Sequence, residues 1–138
     1  MKMKVVLDEG AILPQRAHDQ DAGYDLFARE DGHIFPNARA MFDTGVHMAI
    51  PAGYEGHIRS RSSMMVKKGC ITDGTIDSGY TGSIGVILFN LSGKLVEIKK
   101  GDKIAQIVIE PMVAPEMEVV EKLEETERGS GGFGSTGA

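Results

Sequence analysis

The sequence predicts an all-β fold, a jelly-roll-like β-barrel or sandwich with one short helix and a C-terminal arm. Three observations carry it: short apolar runs punctuated by turn residues, a single stretch with helical signals, and a polar, glycine-rich end. In chain order, the apolar or alternating runs lie at 3–7, 33–35, 45–50, 54–60, 84–91, 95–98, 103–110 and 117–120. Phe35-Pro36-Asn37, Pro51-Ala52-Gly53, Ser92-Gly93-Lys94 and Lys100-Gly101-Asp102 break them with residues that preset or tolerate turn geometry. Regular short strands with such punctuation suit a barrel or a pair of packed sheets. The helical stretch is 62–69, SSMMVKKG. A serine can cap its start, Lys67 and Lys68 suit its last turn, and Gly69 suits the position just past its end. About two turns cannot stand alone in water, so this helix must pack on the sheets.

The chain has 138 residues, 41% hydrophobic and 25% charged, which fits one domain. We read residues 1–110 as a β core, 111–127 as an acidic strand and linker, and 128–138 as a glycine-rich flap. No apolar run is long enough to span a membrane. The N-terminus MKMKVVLDEG has no apolar stretch of the secretory kind, and Cys70 is the only cysteine, so a cytoplasmic setting is expected. The formal charge of −5 is uneven: residues 110–127 carry −6, which leaves the remainder at +1. With no basic surface interleaved with aromatics, a nucleic-acid partner is not expected.

Several segments could carry chemistry. The end RGSGGFGSTG, 128–137, is either a flexible terminus or a phosphate-capable flap. Glycines let backbone N–H groups converge on phosphate oxygens, Arg128 offers a planar fork, and Phe133 is an aromatic with no local core. The Walker pattern needs a Gly-Lys-Ser/Thr, and no lysine is present. Arg59-Ser60-Arg61-Ser62-Ser63 is either an ordinary helix start beside exposed arginines or an anion site. In 73–82, DGTIDSGYTG, the aspartates either shape turns or orient a water, and Tyr80 offers a flat wall for a sugar. Ala22-Gly23-Tyr24-Asp25-Leu26 reads as a turn with Asp25 exposed. Gln106 interrupts the apolar run 104–109, and a buried amide needs partners, whether core or ligand. His18, His33, His47 and His57 show no metal-ligand spacing and are read as structural or surface residues.

Together and in order, AGYDL (22–26), RSS (61–63), GTIDSGYTG (74–82), GDKIAQ (101–106) and RGSGGFGSTG (128–137) resemble the five motifs of the trimeric dUTPases. The resemblance covers about residues 21–137. It implies a jelly-roll-like subunit, a homotrimer whose active sites are shared among chains, and Mg²⁺-assisted hydrolysis of dUTP to dUMP and pyrophosphate. It implies that Asp77 is the base that orients a water toward the α-phosphorus, and that Tyr80 lies under the deoxyribose. Main-chain groups of Gly74, Thr75 and Ile76 would bond the uracil edge. Arg61, Ser62, Ser63 and Gln106 would contact phosphates, and Asp25 would hold the metal through water. From the flap, Phe133 would stack on uracil while Arg128, Gly134, Ser135 and Thr136 close over the β- and γ-phosphates. Ser63 stands where many members have glycine.

Fixing the last ten residues costs on the order of 10 kcal/mol. Charge-assisted hydrogen bonds of about 1.5–3 kcal/mol each, with aromatic stacking, can offset much of this only when the triphosphate is present. The flap is therefore expected to order over substrate. Two rival readings accompany the resemblance. A dCTP deaminase shares features around RSS but carries a glutamate where Asp77 stands and lacks the FGSTG ending. A regulatory binding trimer could keep the fold without the chemistry, although it should then have lost Asp77, Arg61 or Phe133. A regulatory protein partner would follow if the chain is of phage origin.

Overall fold

The computed structural model describes residues 1–134, and the expected β architecture is present. The strands are β1 (Val5–Leu7), β2 (Tyr24–Phe27), β3 (Gly32–Ile34), β4 (Arg39–Asp43), β5 (Val46–Met48) and β6 (Tyr54–Arg59). They continue with β7 (Cys70–Ile71), β8 (Asp73–Ile76), β9 (Gly85–Asn90), β10 (Val96–Ile98) and β11 (Lys103–Pro111). All ladders are antiparallel: β1 with β5, β3 with β10, the order β4-β9-β7, and the order β2-β11-β6-β8. Among the described residues no helix is long and apolar enough to cross a membrane.

Alternation decides which face of each strand is inside. In β9, Val86, Leu88 and Asn90 are buried while Ile87 and Phe89 face outward. With Leu26, Ile34, Ile58, Ile84, Ile98, Ile104 and Ile107 they form one apolar cluster that joins the small sheets into a jelly-roll-like body. Asn90 is the polar exception. Its side-chain amide donates to the carbonyls of Ile34 (3.0 Å) and Lys94 (2.6 Å), and its oxygen accepts from the Ser92 N–H (2.9 Å). A buried amide so satisfied joins the β9–β10 turn to the end of β3.

Four expectations need correction. Residues 22–26 are not a turn with an exposed aspartate: Tyr24–Phe27 is β2, hydrogen-bonded along β11, and the Asp25 side chain is only 15% exposed. Residues 73–76 are strand rather than turn, pairing with β6. The short helical stretch lies where expected, Ser62 and Ser63 leading into a wide turn at Met64–Lys68, but the expected serine cap is missing at Ser63. Ser63 is already helical (φ −64°, ψ −36°) and makes no side-chain cap bond, because its hydroxyl accepts from Arg61 instead. Gly69 does end the turn in the left-handed region, at φ 65°. Finally, residues 117–120 form no strand; from Val113 to Ser130 the chain is exposed, without strand or helix, and turns at 127–130.

The central sheet β2-β11-β6-β8 positions the groups of interest. Its inner face presents Leu26, Ile58, Ala105 and Ile107 to the core. Its outer face carries Asp25, Gln106, Glu110, His57, Arg59 and Asp73. Where β11 meets β2 the register slips between Lys103 and Ala105, so Ile104 is an extra residue and both Ile104 and Ala105 are buried. Such a bulge re-aims neighbouring side chains, and here it leaves Lys103 and Gln106 on the outer side.

Candidate active site

A cleft of about 420 Å³ opens on this outer face, bordered by Gly23, Asp25, Arg59, Arg61, Ser62 and Gln106. That volume is within the range of small-ligand sites. Register accounts for the convergence: Gln106 pairs with Asp25 on one side and with Arg59 on the other. Arg61 lies two residues past β6. Its guanidinium donates to Asp25 Oδ1 (3.1 Å), Ser63 Oγ (3.0 Å) and the Lys103 carbonyl (3.3 Å). Lys103 Nζ approaches the other Asp25 oxygen at 3.5 Å. Gln106 donates its amide to the Ser60 carbonyl (3.1 Å), which settles its place: it is held against the cleft wall rather than in the core. Two cations, hydroxyls and an amide beside one carboxylate supply donors of the kind that phosphate oxygens accept from.

Gly23 is small because of Gln106. A Cβ at this position would collide with Gln106 Oε1 and come within 3.0 Å of its Cδ. Gly23→Ala is therefore expected to displace the amide, lowering kcat/KM about 10–100-fold, since a misplacement near 1 Å can cost about that much. Overpacking should cost about 1–3 kcal/mol of stability, readable in a melting curve. Unchanged kinetics would remove Gln106 from the site.

Arg59 also borders the cleft, with two of its donors engaged by neighbours on the sheet. It donates to Glu110 Oε2 (3.0 Å) and His57 Nδ1 (3.2 Å), while His57 Nε2 faces Asp73 Oδ1 at 2.8 Å. Glu55, His57 and Glu110 also converge closely enough to consider a metal, yet both ring nitrogens of His57 are engaged, Nδ1 by Arg59 and Nε2 by Asp73. Glu110 thus belongs to the sheet, although it opens the acidic segment.

A second depression of about 550 Å³ is lined by Met41, Asp43, Thr75, Ile76, Asp77, Tyr80, Ser83 and Gly85. β8 is the edge strand of its sheet, so one backbone edge of Gly74, Thr75 and Ile76 is free of ladder bonds. Asp77 follows directly, and its carbonyl accepts from the Tyr80 N–H at 3.0 Å in a tight turn. Tyr80 folds its ring back so that its hydroxyl donates to the Ser83 carbonyl (2.8 Å), and a Cβ on Gly82 would lie 2.5 Å from that hydroxyl. The loop is therefore shaped around the phenol. The Ser83 hydroxyl donates to Asp43 and, together with the Gly45 N–H and Arg29, holds the Asp43 carboxyl below the usual range against a smaller opposing effect of burial.

A single chain does not gather all predicted site residues. Asp25, Arg61, Ser62 and Gln106 share one cleft, with Ser63 bonded to Arg61. Thr75, Ile76, Asp77 and Tyr80 share the other depression, with Gly74 on the same strand. Arg128, Phe133 and Gly134 are exposed and line neither. Arg128 donates to the Gly131 carbonyl at 2.6 Å, and Phe133 holds a left-handed backbone, φ 51°. Ser135 and Thr136, with the end of the expected flap, lie outside the described residues. Sequence reasoning missed Lys103, Gly23, Asp43 and Ser83. Lys103 and Gly23 were in view inside quoted motifs, but their roles depend on the bulge and on strand register.

A jelly-roll-like body bearing a phosphate-type cleft and a carboxylate-tipped edge strand beside an aromatic wall defines a nucleotide-hydrolysing β protein. A family model described as dUTPase matches residues 9–137. A curated deoxyuridine 5'-triphosphate nucleotidohydrolase from Clostridium tetani is 49% identical, covering 99% of this chain and 96% of that protein. The protein of the same name from Mus musculus is 45% identical, covering 96% and 83%. A solved dUTPase variant of Staphylococcus bacteriophage 80alpha with dUpNHpp superposes with a TM-score of 0.91 at 33% identity, covering 99% of both chains. A dUTPase variant from phage phi11 of S. aureus, described as coordinating a structural Mg(II) ion, gives 0.83 at 33% identity, covering 91% of this chain and 100% of that one. The chain belongs to the dUTPase family.

Proposed function

We propose that the chain hydrolyses dUTP to dUMP and pyrophosphate, with Asp77 as the base and the Arg61 cleft as the phosphate site. The observation that carries this reading is the cleft itself, where Arg61, Lys103, Gln106 and Ser62 surround Asp25. Water attacks the α-phosphorus, the bond to the α–β bridging oxygen breaks, and the proton passes to the Asp77 carboxylate. Pyrophosphate leaves with the bridging oxygen. Arg61, Ser62, Ser63 and Gln106 hold the phosphates, and the free backbone edge at Gly74, Thr75 and Ile76 bonds uracil. Tyr80 forms the wall under the deoxyribose, crowding a 2′-hydroxyl. A site that rejects by crowding and unpaired polar groups discriminates sharply.

Asp25 fits a water-bridged Mg²⁺. Each of its oxygens has one protein cation beside it and lone pairs to spare, and a hard, hydrated ion needs no all-protein cage. When bound, Mg²⁺ neutralises phosphate charge. Division of the proposed site residues into cleft, loop and tail supports a homotrimer in which each site draws on several chains. In this reading residues 111–127 carry the flap, with Arg128, Phe133, Gly134, Ser135 and Thr136, to a neighbour. The free, buried Cys70 suits a cytoplasmic protein. The deaminase reading is not favoured by Asp77 or by the family match. Control of virulence-gene transfer is described for the 80alpha phage dUTPases, and we assign no such partner here.

The test is pyrophosphate release from dUTP, UTP, dTTP and dCTP with and without Mg²⁺. Release from dUTP at least about 10²-fold above the others is expected, the discrimination of a site that leaves wrong partners unpaired. Ammonia from dCTP would overturn the reading.

A further inference from the structure

The loop carrying Asp77 and Tyr80 is tied to the body unevenly. At its far end Ile84 is fixed by backbone bonds with Val46 and Thr44, both at 2.9 Å, and Ser83 bonds Asp43. Nearer the proposed reacting groups, the bonds of Tyr80 are internal to the loop. One side chain reaches in from outside: His47, on β5, whose Nδ1 lies 2.7 Å from the Thr81 carbonyl. Its other nitrogen, Nε2, lies 3.0 Å from Asp8 Oδ2, just past β1. β1 and β5 pair with Val6 opposite His47, so the ring bridges from this two-stranded ladder to the loop.

Both ring partners are acceptors. A neutral imidazole has a single N–H and can satisfy one of them, leaving a lone pair against the other oxygen. Only the doubly protonated ring satisfies both. The charged groups facing it are the Asp8 and Asp43 carboxylates, and Arg29 lies 3.7 Å from the first and 3.3 Å from the second. The Thr81 carbonyl first, and then the Asp8 hydrogen bond, raise the His47 pKa above its ordinary 6.5, while partial burial opposes them.

We propose that His47 is a positioning residue for the reaction: its doubly protonated ring clamps the Asp77–Tyr80 loop onto the body, and loss of a proton releases the clamp. This rests on the reading of Asp77 and Tyr80 given above. A raised folded-state pKa fixes the sign. The clamp is whole below about pH 6.5, the unfolded value, and is lost as pH rises through the higher folded value.

The test compares kcat/KM for dUTP in wild type, His47→Gln and Asp8→Asn between pH 6 and 9. The wild-type advantage over His47→Gln should be about tenfold at pH 6, the worth of one charge-assisted hydrogen bond, and should shrink toward unity by pH 9. Asp8→Asn should move the alkaline fall of activity to lower pH. A pH-independent ratio, which a merely structural histidine would give, overturns the proposal, as does an unmoved midpoint in Asp8→Asn, the measurement that decides should His47→Gln not fold. NMR of the wild type separates this from the function itself. The Gly79 and Gly82 amide shifts should titrate together with the His47 ring even without substrate, and their indifference to it overturns the clamp whatever the activity. A wild type inactive on dUTP but showing that joint titration would instead overturn the reaction assigned above.

Discussion

Asp77→Asn is expected to lower kcat for dUTP by about 10²–10⁴-fold, the contribution of a positioned general base. The substitution is nearly isosteric, keeps a polar side chain, and removes the proton acceptor. In the structure Asp77 is exposed, and what ties it to the loop is its backbone carbonyl, bonded to the Tyr80 N–H. Asparagine makes the same backbone bond, so the melting temperature should be unchanged. KM should move by no more than a few-fold, because the phosphate contacts assigned to Arg61, Ser62 and Gln106 lie in the other cleft. A loss confined to kcat marks a group acting in the transition state. Pyrophosphate release in single-turnover experiments reads this directly. Turnover within a few-fold of wild type would remove Asp77 from the base role.

The strands that could be read from sequence are those with a clear apolar signal. Residues 84–91 and 103–110 are dominated by Ile, Val and Leu, and they became β9 and β11 with little change. β2 was not read because its sequence, YDLF, has one fully buried residue, Leu26, beside an aspartate that faces the cleft. β8 was missed for a related reason: DGTI is poor in strand formers and holds its place through β6 as an edge strand. β4 presents Met41 outward and Phe42 inward, so its apolar residues do not alternate as a half-buried strand should. These strands are short and carry few inward apolar residues or an apolar residue facing outward, so the alternation is hidden and tertiary pairing overrides local propensity.

The candidate site was legible as a set of candidate residues and not as an arrangement. Arg61, Ser63 and Asp25 were all in view, but the diversion of the Ser63 hydroxyl from capping to Arg61 is a tertiary effect. Both arginines of this stretch are ion-paired, Arg59 with Glu110 and Arg61 with Asp25, and only strand pairing reveals either partner. The charge arithmetic changes accordingly. Glu110 belongs to the sheet network, and the other acids of the run, Glu116 to Glu127, lie on an exposed segment that does not line the cationic cleft.

Arg61→Ala is expected to cost about 10²–10⁴-fold in kcat/KM. Two charge-assisted hydrogen bonds to phosphate, at about 1.5–3 kcal/mol each, set that range. The guanidinium is held by Asp25, Ser63 and the Lys103 carbonyl through Nε and Nη1, so among the described residues Nη2 keeps its donors for a ligand in the cleft that Arg61 lines. Removing it also leaves Asp25 with Lys103, at 3.5 Å, as its neighbouring cation, so a modest fall in melting temperature accompanies the kinetic loss. Arg61→Lys separates charge from geometry. An ammonium keeps the charge, but its three donors radiate from one nitrogen and do not reproduce the planar spread by which the guanidinium reaches Asp25, Ser63 and a phosphate. An intermediate loss of about 10–10²-fold is expected, since an imperfectly placed contact still costs about that much. If lysine restored full activity, the site would need only positive charge. If alanine stayed within about threefold of wild type at dUTP below KM, far short of one charged hydrogen bond, the phosphates would bind elsewhere. The two substitutions together decide whether the cleft reads phosphate by field or by shape, and the bonds that already fix the guanidinium plane favour shape.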